Sequence, residues 1–153
     1  MEYTKSEAKA YCREKMTGVW AALTTPYKSD GEIDEEGLRT VVRTCIDDLK
    51  IDGFFCNGLM GEYWSLSVQE RKRVQHIVCE ESRGKAQTIP HTPQVTIQEA
   101  VELTKHAEEI GADYAIMINP VYGAHDDDEI YLYFKTICDQ IDIGLSLFNQ
   151  PKS

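Results

Sequence analysis

Five short apolar segments recur along this chain, and stretches of helical period separate each from the next. That alternation constrains the fold more than any other feature. Strands that return to the same end of a sheet need crossovers of a dozen or more residues, usually helical. Regular β-α alternation therefore predicts parallel strands with right-handed crossovers. Segments apolar on both faces suit a sheet covered by helices.

The segments are GVWAALTTP (18–26), GFFCN (53–57), TIPH (88–91), YAIMIN (114–119) and GLSLFN (144–149). A polar helix over 4–15 comes first, with Thr4 and Glu7 spaced as a capping box. The first strand ends at Pro26, and Lys28-Ser29-Asp30-Gly31 carries turn chemistry. Asp34 is read as the cap of a helix over 34–49, with Leu38, Val41, Val42, Cys45, Ile46 and Leu49 on one face. Ser67 opens a helix to about 82, and Thr96 opens one to about 110 that Gly111 ends. Asp126-Asp127-Asp128 start a helix to about 140.

Five strands and four connecting helices leave two architectures open. One is an open doubly wound sheet. The other is just over half of a (β/α)8 barrel, since a closed barrel takes about 250 residues and this chain has 153. In both, ligands bind at the carboxyl ends of the strands, so the loops after 24, 57, 91, 119 and 149 are the candidate site.

Charge and cysteine usage exclude several partners. The formal net charge is −10 and no basic stripe is present, which argues against nucleic acid and anionic membranes. Cysteines at 12, 45, 56, 79 and 138 show neither CxxC nor metal-site spacing, and read as reduced thiols of a cytoplasmic protein. The N-terminus is too charged for a signal peptide, and no apolar run approaches a membrane span. Neither GxGxxG nor GxxxxGK[ST] occurs, and no cofactor is expected.

Four segments resemble the dihydrodipicolinate synthase/N-acetylneuraminate lyase family. GVWAALTTPYKSDGEID is similar to its opening A-x-x-TPF…dG-x-iD pattern, and GFFCNGLMGEYWSLSVQER to its GTTGE-x-x-x-L-x-x-E-R segment. GADYAIMINPVYG is similar to GAD-x-x-x-x-x-PYY, and FNQP to YN-x-P. The likeness covers roughly 17–151, leaving 1–16 as a helical extension ahead of a partial barrel over 17–153. It implies a class I aldolase. A lysine ending strand six forms a Schiff base with pyruvate or another 2-keto acid, and the imine serves as an electron sink. A strand-five tyrosine shuttles protons, the two threonines of GTTGE bind the carboxylate, and a tyrosine after strand four assists.

Carried over residue by residue, the resemblance implies Tyr122 as catalytic, in PVYG. It implies Gly58, Leu59, Met60, Gly61 and Glu62 as the substrate loop, with Phe148 and Asn149 beside it. The departures are chemical. Phe148 replaces the tyrosine and can neither donate nor accept a proton. Leu59 and Met60 replace the threonines, leaving backbone N–H groups to hold a carboxylate. Ser153 aligns with the family's arginine, and the Schiff-base lysine falls beyond it.

Each candidate also has a plainer reading. The Gly58–Trp64 loop is otherwise a tight βα turn. Leu59, Met60, Tyr63 and Trp64 would make a greasy pocket floor suited to a bulky or aromatic substrate. Tyr122 is otherwise a subunit contact. His91 is a substrate-site candidate as a near-neutral acid or base, or else a hydrogen-bonded histidine among Pro90, Thr92 and Pro93. The run from His125 to Glu129 is read as acidic capping of a helix rather than a metal site. Lys28 is a solvated turn residue, and Lys152 lies just past strand five.

The expectation is an aldolase-family protein for a 2-keto acid whose chemistry needs strands six to eight. Unpaired edges predict a homo-oligomer or a complementary C-terminal half-barrel chain. The alternatives are a non-catalytic half-barrel subunit and a doubly wound small-ligand domain.

Overall fold

A computed structural model describes residues 2–120, 123 and 125–149. Its helices are α1 (Ala8–Lys15), α2 (Glu35–Asp47), α3 (Val68–Ser82), α4 (Ile97–Glu109) and α5 (Asp127–Cys138). Its strands are β1 (Trp20–Ala22), β2 (Gly53–Phe55), β3 (Gln87–Thr88), β4 (Ala115–Ile118) and β5 (Leu145–Phe148). Among the described residues these strands pair in parallel, in the order β1-β2-β3 and β4-β5. His91 and Ile116 form a parallel bridge that joins the two groups.

The proline in TIPH explains why the sheet divides there. The backbone N–H groups of Tyr114 and Ile116 donate to Thr88 and Pro90, and that of Thr92 donates to Ile116. The next donor in this alternation would be residue 90, and proline has none. One ladder bond is therefore missing from the β3–β4 seam. On its other side the third segment stays paired through His91, whose N–H donates to Cys56 O at 2.9 Å.

The strand order rules out the doubly wound alternative. An open doubly wound sheet reverses its order at a switch point. Here each strand pairs with the next, and α2 packs on α3, α3 on α4 and α4 on α5. Two ring contacts show that the sheet curls. Strands three places apart in a flat sheet stand about 14 Å apart. Yet Phe55 of β2 meets Phe148 of β5 with ring centroids 6.5 Å apart, and Trp20 of β1 meets Tyr114 before β4 at 6.4 Å. The architecture is a partial (β/α)8 barrel.

Local signals in the sequence set the helix ends. The side chains of Asp34, Ser67, Thr96 and Asp126 each accept a backbone N–H in the first turn of their helix. Glu70 and Glu129 close capping boxes, and Gly111 has φ +83° just past α4. Of the acidic residues after His125, Asp126 and Glu129 form the cap, and Asp127 and Asp128 lie in the first turn of the helix. The strand readings run long: the first regular strand is three residues, not nine. The 34–49 face is also corrected at its end, because Leu49 lies beyond α2 and is 64% exposed.

Two buried clusters lie between strands and helices. One gathers Leu23, Phe54 and Cys56 with Leu38, Val42, Val74 and Val78. The other gathers Ala115, Met117 and Ile143 with Ala100, Tyr133 and Ile137. At the opposite end of the sheet, the N-terminal segment covers the strand starts. Tyr3 donates its hydroxyl to Asp113 O and accepts from Gly144 N at 3.0 Å. Its ring stacks on Tyr114. Lys5 Nζ donates to the carbonyls of Cys138 and Ile141, a favourable place for a cation at the end of α5.

Tyr3→Phe keeps the ring and removes both hydrogen bonds, leaving the Gly144 N–H without that acceptor. We expect a loss of about 1–3 kcal/mol, measured by urea denaturation. An unchanged midpoint would show that ring packing alone anchors this segment.

Candidate active site

The carboxyl end of β2 turns sharply into α3, and two non-glycine residues in the left-handed region frame the turn: Asn57 (φ 55°) and Glu62 (φ 52°). Such backbone is costly for most side chains and needs support from its surroundings. Gly58 lies against Phe55, where a Cβ would stand 2.4 Å from the ring. Gly61 is buried, and its carbonyl accepts the Thr25 hydroxyl at 2.9 Å. The loop also bonds to itself: Gly61 N and Glu62 N donate to Gly58 O and Leu59 O, both at 3.1 Å. Among the described residues, the N–H groups of Leu59 and Met60 have no acceptor.

The predicted site residues separate into three groups. Gly58, His91 and Phe148 converge on Phe55, a residue the motifs did not single out. Leu59 and Met60 are each 54% exposed, and Glu62 and Asn149 are also exposed. Tyr122 and Lys152 lie outside the described residues, as does Ser153. Lys28 is exposed in its turn, where its N–H donates to Glu32 O.

The greasy floor divides in two. Tyr63 and Trp64 line a cavity of about 170 Å³ with Pro93, Gln94, Val95 and Tyr133, and Leu59 and Met60 are not part of its wall. Among the described residues no group of three His, Cys, Asp or Glu side chains could hold a metal ion. No described helix is long and apolar enough to cross a membrane.

His91 is 4% exposed. Its Nδ1 is 2.9 Å from Asn57 O, and its ring meets Tyr63 edge-on at 4.7 Å. Burial, then the charge of Arg71, push its pKa down to about 3, against the opposing pull of the Asn57 carbonyl. The ring is therefore neutral at pH 7, which departs from the near-neutral acid or base expected from its place at a strand end.

Arg71, on α3, is the site's most unusual side chain. It is 1% exposed and makes no ion pair among the described residues. Its two terminal nitrogens donate to Pro93 O and His91 O, both at 2.7 Å, and its carbon lies 5.2 Å from the Tyr63 ring centroid. Desolvation lowers its pKa to about 10, so it stays charged at neutral pH. Asn57 Nδ2 donates to the Arg71 carbonyl at 2.9 Å. Sequence reasoning gave no role to Asn57, to Thr25 of the TTP pattern, or to Arg71, which ends the E-R motif. A further signal was available: Arg71 and Gln75 stand in register with Val74, Val78 and Ser82 on the buried stripe of α3.

Sequential parallel strands curled around an inward face, with a glycine-framed loop at their carboxyl ends, define a (β/α)8-barrel protein with its candidate site at the usual end. Comparisons with known proteins give the family. The Dihydrodipicolinate synthetase family model matches residues 15–153, and the chain belongs to that family. It is 37% identical over 136 residues to N-acetylneuraminate lyase of Clostridium perfringens, covering 89% of this chain and 47% of that protein. In structure it is similar to N-acetylneuraminate lyase from Mycoplasma synoviae, with a TM-score of 0.86 at 30% identity, covering 92% of this chain and 49% of that one. It is also similar to YagE from E. coli K12, a family member solved in complex with pyruvate. There the TM-score is 0.84 at 27% identity, covering 89% and 45%. The chain thus spans about half the length of the curated relatives it matches. The matched stretch begins at residue 15, so nearly all of α1 lies ahead of it.

The depressed His91 pKa has a stability consequence. The unfolded chain takes up this proton near pH 6.5, whereas the folded chain does so only near 3. Unfolding therefore binds a proton in this window, and the stability contributed by neutral His91 is present above pH 6.5 and lost as the pH falls toward 3. We expect His91→Gln to flatten the slope of melting temperature against pH between 6.5 and 5. An equal slope in both proteins would place the proton uptake elsewhere.

Proposed function

We propose that this chain supplies the keto-acid-binding half of a Schiff-base aldolase site, and that the reactive lysine comes from strands six to eight. Those strands would belong to further residues of the same polypeptide or to a complementary half-barrel chain. The observation that carries this reading is the Gly58–Glu62 loop. Two adjacent N–H groups, at Leu59 and Met60, lack acceptors among the described residues at the carboxyl end of β2. Such paired donors suit a carboxylate, and they keep that capacity without the family's threonine hydroxyls. The pyruvate complex of the related YagE accords with a 2-keto acid as ligand.

The two edges favour association. Among the described residues β1 and β5 have one neighbour each, and Leu147 and Phe148 are 59% and 44% exposed. A covering chain, or a second copy forming an oligomer, would remove this apolar surface from water. The composition and charge accord with a cytoplasmic setting. Tyr122 remains the proposed relay residue, on the PVYG motif alone.

Phe148 favours a second reading, in which the chain binds a keto acid or steadies a partner without turnover. Its phenyl ring leaves the tyrosine position without a proton carrier.

Borohydride reduction in the presence of pyruvate separates these outcomes. The 153-residue chain should give no adduct. With strands six to eight supplied, a reduced pyruvyl-lysine should appear on the added segment by mass spectrometry. An adduct on the chain itself would overturn the placement of the lysine, and none in the completed barrel would favour binding without catalysis. In a completed barrel that forms the adduct, Phe148→Tyr should raise turnover by about 10²-fold, the lower range for a positioned proton carrier.

A further inference from the structure

We propose that Arg71 is a positioning residue for the keto-acid carboxylate, fixing the Leu59 and Met60 N–H groups through a closed clamp of Arg71, Asn57, His91 and Tyr63. This inference rests on the keto-acid reading of the loop. The clamp takes its parts from three places. Asn57 and Tyr63 lie in the connection between β2 and α3, Arg71 in the first turn of α3, and His91 past the end of β3.

Its links close on themselves. The Asn57 side chain donates to the Arg71 carbonyl, and the Asn57 carbonyl faces His91 Nδ1, each at 2.9 Å. The Arg71 guanidinium donates at 2.7 Å to both His91 O and Pro93 O. Tyr63 fills the remaining side, between the Arg71 cation and the His91 ring. The turn from 58 to 62 is tied at its start by Asn57 and just past its end by Tyr63. The clamp thus controls both ends of the segment that carries the two open donors.

A packing role alone does not account for the residue type. A leucine or methionine would fill the volume, but neither could donate to the two carbonyls that follow β3. Arginine's rigid fork reaches both and stacks on an aromatic face at the same time. The outcome is a loop held from beneath by polar bonds while its exposed surface stays available to a ligand. Binding sites need such support around the groups that touch the ligand.

The test uses the full chain and three variants: Arg71→Met, Arg71→Lys and Asn57→Gly. Arg71→Met removes the fork. Arg71→Lys keeps the charge and one reach, and Asn57→Gly keeps the left-handed backbone while removing the bond to Arg71 O. Two readouts are followed by NMR. One is pyruvate affinity from shifts of the Leu59 and Met60 amides. The other is hydrogen exchange at Gly61 and Glu62, with α4 amides as the folding control. We expect Arg71→Met and Asn57→Gly to weaken pyruvate about tenfold and to speed loop exchange, with Arg71→Lys in between and α4 protection unchanged. Unaltered loop exchange and affinity in folded variants would overturn the proposal. If Arg71→Met fails to fold, Asn57→Gly decides. If the unaltered chain binds no pyruvate, the keto-acid reading fails, while the exchange comparison still decides whether the clamp holds the loop.

Discussion

Each strand of this molecule pairs with the strand that precedes it in sequence, in parallel and without reversal. That ladder places the five carboxyl ends side by side and forces every connection to carry the chain back along the outside. Twist accumulating in one direction then curls the sheet, as the Phe55–Phe148 and Trp20–Tyr114 contacts record. Residues distant in sequence meet at the concave face because of this order. Phe55, against which Gly58 lies, meets Phe148 although more than ninety positions separate the two rings.

Against this apolar background the buried Arg71 is costly. Desolvating a cation costs several kcal/mol even after relaxation. Two carbonyls and the Tyr63 ring offset that cost. A carboxylate partner would cancel the charge, and none is present among the described residues. The same charge helps keep His91 neutral, so two ionisable groups in contact with one loop act here as framework.

The sequence was most legible where the physics is local. Asp34, Ser67, Thr96 and Asp126 act within one helical turn, and each caps the helix it was expected to cap. The family motifs also marked out the turn between β2 and α3, because glycine spacing is itself a local requirement. What eluded the sequence depends on distant partners. The burial of His91 is set by Asn57 and Tyr63 from the connection after β2 and by Arg71 from α3. Phe55 looks like any strand residue until the curl brings Phe148 over it. Arg71 carried a faint signal, a cation on an apolar stripe, which is easily taken for a residue whose head reaches solvent. The barrel and the open sheet could not be told apart from alternation alone, because strand order is a property of pairing.

Pro90 has a mechanical consequence. Its missing donor falls between the strands of the two buried clusters, one built on β1 and β2 and the other on β4 and β5. The sheet therefore has a crease, a line along which one bond of the ladder is absent. His91, one residue past the crease, bonds by its backbone to Cys56 on one side and bridges to Ile116 on the other. The residue first noticed as a possible acid or base stands instead where a rivet would be placed.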